Sequence, residues 1–76
     1  MTPREAIRDV LRRECGVSAE VHDDTRLVED LGLDSVRLLT LAAELENRFQ
    51  VVLGEDPNHP PRTLGEVAEL LERRLA

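Results

Sequence analysis

Apolar residues recur at helical spacing in separate stretches of this chain, and each stretch follows a residue suited to cap a helix. At the front, Thr2-Pro3-Arg4-Glu5 joins a capping hydroxyl, a proline fit for the first helical position and an acid three residues after the cap, which together form a capping box. Ile7, Val10 and Leu11 then make one apolar stripe, with Arg4, Glu5, Arg8 and Arg12 outside it, and Gly16 is the expected stop. Asp34 is a good N-cap for a central helix in which Leu38, Leu41, Ala42, Leu45 and Phe49 keep helical spacing as far as Arg48-Phe49. Thr63-Leu64-Gly65-Glu66 repeats the capping box before Leu64, Val67, Ala68, Leu71 and Leu75.

The connections are less regular. Periodicity lapses from Gly16 to Leu33, where Asp23, Asp24 and two glycines mark a long loop. Val17, Val21, Leu27 and Leu31 are spaced along it; a structureless loop of this length is either functional or pinned to the core, and both readings fit here. Val51, Val52 and Leu53 form a short apolar exit from the central helix, ended by Gly54, with a brief strand conceivable. Asp56-Pro57 could cap a short helix that Pro60-Pro61 must end, since neither ring nitrogen carries a hydrogen to donate. The expected fold is all-α: one domain over residues 1–76, a small four-helix bundle with three long helices, a short third helix and a long loop after the first.

At 76 residues the chain supports one modest core, and a deep enzyme cleft is not expected. Phe49 is the only aromatic residue, so that core must be aliphatic. The net charge of -6 disfavours nucleic acid and anionic membranes and favours basic protein partners. Cys15 is the only cysteine, which rules out an intramolecular disulfide and a Cys-rich zinc site; no metal site is expected. No apolar run approaches the roughly 18 residues of a membrane span, and the N-terminus lacks a signal-peptide pattern, so a cytoplasmic protein is expected.

Enzyme chemistry finds no support in the motifs. His22 and His59 are isolated in polar segments with no nucleophile motif nearby, and Cys15 at a helix end reads as a packing residue. The informative segment is Leu31-Gly32-Leu33-Asp34-Ser35-Val36, which delivers Ser35 to the first helical position. With Asp34 at the cap, the Ser35 hydroxyl is free to face outward beside the unpaired N–H groups and positive end of the helix, where a phosphate ester would be stabilised. Taken alone, Asp-Ser before an apolar helix reads more readily as a plain capping pair.

The wider pattern resembles the acyl carrier protein family. Gly32-x-Asp34-Ser35-aliphatic leads an aliphatic helix ending in Glu46-x-x-Phe49, followed by Val51 and Leu53, with Thr63 opening a last helix that contains Leu64 and Val67. The order of helices and the long first loop match across nearly the whole chain. The resemblance implies that Ser35 carries 4'-phosphopantetheine, placed there by a phosphopantetheinyl transferase from coenzyme A with Mg²⁺. It also implies that acyl groups ride as thioesters on the arm, and that the partners are this transferase and acyl-loading and acyl-processing enzymes. A monomeric, non-catalytic carrier is expected, and one that is free-standing since it starts at Met1 and fills one domain.

At 100° per residue Val36, Leu39 and Ala43 share a stripe offset from that of Leu38, Leu41 and Leu45. The stripe alone is equally that of a helix buried on both sides; the resemblance implies that Val36 and Ala43 face partners, with Arg37 and Leu39 in the same docking region and Leu39 itself open between core and contact, while Leu41, Leu45 and Phe49 are expected to be buried. Arg37 and Thr40 depart from the acids often found there in fatty-acid carriers, and Pro61 replaces a common aliphatic residue. With Leu33, these departures look more like a carrier of a polyketide, fatty-acid-like or other secondary-metabolite pathway. A peptidyl or aryl carrier of a nonribosomal pathway is the alternative, though the second glycine common before its serine is missing. An unmodified helical interaction domain is the reading from another class.

Overall fold

A computed structural model describes residues 2–54 and 60–76. Among these residues the chain forms three helices, α1 (Pro3–Arg13), α2 (Ser35–Phe49) and α3 (Leu64–Leu75), and no strand beyond a single antiparallel bridge between Arg26 and Thr63. The short third helix expected near Asp56-Pro57 lies outside the described residues, as does His59.

Both capping boxes form. Thr2 Oγ1 accepts the Glu5 N–H at 3.2 Å while Glu5 Oε1 accepts the Thr2 N–H at 3.3 Å, and Thr63 with Glu66 repeats the exchange at 3.2 Å in each direction. At α2 the Asp34 carboxylate accepts the Arg37 N–H at 2.9 Å. That helix ends where Gln50 turns left-handed at φ 55°, and the Val51 N–H returns to the Glu46 carbonyl at 3.2 Å. Glu46 Oε2 also accepts the Leu53 N–H at 2.9 Å, so the apolar exit becomes a tethered extended segment whose Leu53 is buried.

The helix α1 packs against both α2 and α3. Its Ala6, Ile7, Val10 and Leu11 are fully buried, and with Leu41, Leu45, Leu64, Val67, Ala68 and Leu71 they make the expected aliphatic core. Phe49 is only half-buried, because it is the last residue of α2 and the chain leaves the bundle immediately after it. Leu75, in the last turn of α3, is exposed instead of continuing the apolar stripe.

The long first loop is pinned, and its backbone does much of the pinning. The Leu27 N–H donates to the Arg62 carbonyl at 2.9 Å, Leu64 N–H to the Thr25 carbonyl at 3.1 Å and Gly65 N–H to the Asp23 carbonyl at 2.9 Å. Arg4 spans the same region, binding Asp23 at 3.0 Å and Glu72 at 3.3 Å. Val21, Leu27 and Leu33 bury their side chains, while Val17 and Leu31 pack on the core partly exposed.

Two outcomes follow from this packing. Leu45→Ala should cost about 2–5 kcal/mol in urea unfolding, and Phe49→Ala, despite its larger deletion, should cost less than Leu45→Ala because part of that ring is already in water whereas Leu45 is fully buried. The Asp23 carboxyl is held below its ordinary range, chiefly by its hydrogen bond from Arg4. Its stabilising contribution is therefore present above the unfolded pKa of about 3.9 and is lost as pH falls through the lower folded value. Asp23→Asn should thus lower stability at about pH 7, with the difference from wild type closing below about pH 4 in denaturation curves taken across that range.

Candidate functional site

A tight turn aims the start of α2. Asp30 Oδ2 accepts the Arg26 N–H at 2.8 Å, the Asp30 N–H donates to the Arg26 carbonyl at 3.0 Å, and the Gly32 N–H donates to the Val28 carbonyl at 2.9 Å. Gly32 sits at φ 69°, a left-handed conformation that costs glycine little, and the chain reverses there. Leu33 then drops into the core while its N–H donates to the Leu27 carbonyl at 3.1 Å. With Leu33 buried and Asp34 extended at the cap, Ser35 opens the helix on the exposed side.

Ser35 is exposed, and among the described residues its hydroxyl has no hydrogen-bond partner. The Asp34 carboxylate satisfies the Arg37 N–H, leaving the Ser35 and Val36 N–H groups without intrahelical acceptors at the positive end of the helix. A free hydroxyl in that position fits a phosphodiester, because the unaccepted N–H groups and the helix dipole both favour an anion there.

The strip leading away from Ser35 is largely apolar and open. Val36 is 69% exposed, Leu39 66%, and Ala43 is exposed as well. Thr40 Oγ1 donates back to the Val36 carbonyl at 3.0 Å, so its hydroxyl is already engaged. Leu39 thus sits on the outer face, which the sequence left open. Arg37 is about half-exposed, its guanidinium 3.8 Å from Asp34.

On the other side of α2 lies a feature the sequence did not disclose. An apolar recess of about 230 Å³ opens between α2 and α3, bounded by Leu38, Ala42, Leu53, Pro61 and Leu70. Leu38 had the spacing of a core residue; it packs on the core but stays partly exposed because it lines this recess. The signal was present in Pro60-Pro61, whose role as a helix stop hid its role as a wall.

The family described as "Phosphopantetheine attachment site" matches residues 5–56, a span that contains the whole turn, Ser35 and α2. An acyl carrier protein of Amoebophilus asiaticus is 41% identical over 58 residues, covering 76% of this chain and 72% of the relative. An acyl carrier protein of Chlamydia trachomatis is 32% identical over 75 residues, covering 97% of each chain. One of Thermotoga maritima is 26% identical over 70 residues, covering 91% of this chain and 86% of the relative.

The sequence also singled out His22 and Cys15, and of these Cys15 packs beneath the first turn of α2. His22 is exposed, 3.7 Å from Glu20. Cys15 is 5% exposed, and its Sγ lies 3.7 Å from the Arg37 carbonyl oxygen, as befits a packing residue. Burial pushes its thiol pKa up, which opposes thiolate formation at neutral pH. Iodoacetamide should therefore alkylate Cys15 slowly in the native protein and rapidly in urea, as followed by intact mass; equal rates would show that the thiol is open to solvent.

Proposed function

Because the chain belongs to the phosphopantetheine-attachment family of acyl carrier proteins, and is a carrier of acyl groups and not an enzyme, we propose that Ser35 is its point of attachment. The observation that carries this reading is the exposed Ser35 hydroxyl, without a hydrogen-bond partner among the described residues, on the first residue of α2 and anchored from behind by buried Leu33. When bound, the phosphopantetheine arm supplies a terminal thiol on which an acyl group is held as a thioester. The residues of this chain do the rest. Gly32 and Leu33 fix the direction of the turn, Asp34 caps the helix so that the serine is not needed for that task, and the free N–H groups of Ser35 and Val36 favour the phosphate charge.

The outer strip of Val36, Leu39 and Ala43, with Arg37 beside it, is the surface we assign to docking enzymes, supported by the exposure of large apolar side chains beside the attachment residue. The recess between α2 and α3 is suited to sheltering a short apolar cargo. Its volume of about 230 Å³ exceeds the roughly 150 Å³ of an apolar protein cavity that accepts benzene. A polyketide or other secondary-metabolite pathway is the favoured setting, on the strength of Arg37 and Thr40, which leave the first turns of the docking helix without acids after the cap.

The test is intact mass after incubation with coenzyme A, Mg²⁺ and a broad-specificity phosphopantetheinyl transferase. Wild-type protein should gain one phosphopantetheine unit, and Ser35→Ala, which removes only an exposed hydroxyl, should stay folded by circular dichroism and gain none. Modification of the Ser35→Ala protein would overturn the assignment.

A further inference from the structure

Two of the three described helices begin alike. Thr2 and Thr63 cap α1 and α3, and the third residue of each helix is a glutamate, Glu5 and Glu66, that reaches back to the cap N–H. Asp34 caps α2, but the third residue there is Arg37. A cation is disfavoured beside the positive end of a helix, and an arginine cannot accept the cap N–H as a glutamate does. Within the molecule its return is small: the guanidinium is 3.8 Å from Asp34 with both side chains more than half in water, where an ion pair contributes little. A residue that breaks a local rule without an evident structural return points to function.

The position of Arg37 narrows what that function is. It shares the first turn of α2 with Ser35 and flanks the exposed strip of Val36 and Leu39. An enzyme that closes on Ser35 and covers Val36 must also take water from the neighbouring guanidinium. A charge desolvated without a partner is costly, so a productive surface supplies the partner. We propose that the enzymes acting on Ser35 meet this chain through an apolar patch bearing a carboxylate that pairs with Arg37, so that Arg37 sets which partners dock. This deepens the assignment of Ser35 and rests on it. It also runs against the overall charge of -6, which by itself would suggest that the docking contact is basic.

The experiment measures the second-order rate of phosphopantetheine loading by the transferase encoded in the same genome, at about 0.05 M and about 0.5 M salt. Arg37→Glu restores the capping-box arrangement of the other two helices and should leave the fold at least as stable, so a slower rate cannot be ascribed to unfolding. Arg37→Glu should reduce the rate about tenfold at low salt and less at high salt, and Arg37→Lys should recover most of the loss. Wild-type protein that loads while Arg37→Glu loads as fast or faster overturns this inference and leaves Ser35 standing. Failure of wild type to load overturns both. Unchanged rates together with a lowered melting temperature of only the loaded Arg37→Glu protein would also overturn it, by assigning Arg37 to the phosphate of the arm.

Discussion

The hydrogen bonds that run from residues 23–27 to residues 62–65 hold the first loop against the start of α3, and the placement of the site depends on them. Without them the 21 residues from Glu14 to Asp34 would connect α1 to α2 with no fixed path. With Leu27 tied to Arg62 and buried beneath the turn, the left-handed Gly32 and buried Leu33 have a fixed base, and the first residue of α2 points in one direction. Backbone bonds suit this task because each also satisfies a group that would otherwise be left unpaired near the core. Gly65 belongs to the same arrangement: a Cβ there would stand 3.0 Å from the Asp23 carbonyl oxygen that accepts its N–H.

The central position of α1 accounts for the asymmetry of α2. Since α1 packs on both of the other described helices, α2 buries Leu41 and Leu45, and among the described residues little covers its remaining sides. One of these carries Val36, Leu39 and Ala43 into solvent. Another looks across a gap toward α3 and becomes the recess lined by Leu38, Ala42 and Leu70. Exposed strip and recess are thus two results of one packing arrangement, and a 76-residue chain can present both because its aliphatic core is concentrated around a single helix.

Much of this was legible in the residues. The bounds of α2, the Asp34 cap, both capping boxes and the exposure of Ser35, Val36 and Ala43 follow from local chemistry that a short window contains. What depended on distant partners was harder to see. The bonds from the loop to α3 join groups about 40 residues apart and use backbone atoms common to every residue, so side chains announce them only through Gly65. Leu39 and Phe49 both have apolar side chains at helical spacing, and periodicity cannot tell which faces another helix. The neighbours decide, and they leave Leu39 66% exposed and Phe49 partly covered.

Charge acts on this molecule at two ranges, and the two have opposite sign. The net -6 makes a field felt across about a Debye length, roughly 8 Å at physiological salt, and it gathers basic surfaces in any orientation. On the docking surface proposed above, contact at Ser35 would be governed instead by the few groups that lose water there, Val36, Leu39 and the guanidinium of Arg37. A partner that is basic at large but acidic at the contact satisfies both, and a uniformly basic one is attracted yet meets a like charge at the last step. Under that proposal, encounter and productive docking are separated. For a carrier that must meet several enzymes and leave each of them, that separation allows fast approach without a tight and long-lived complex.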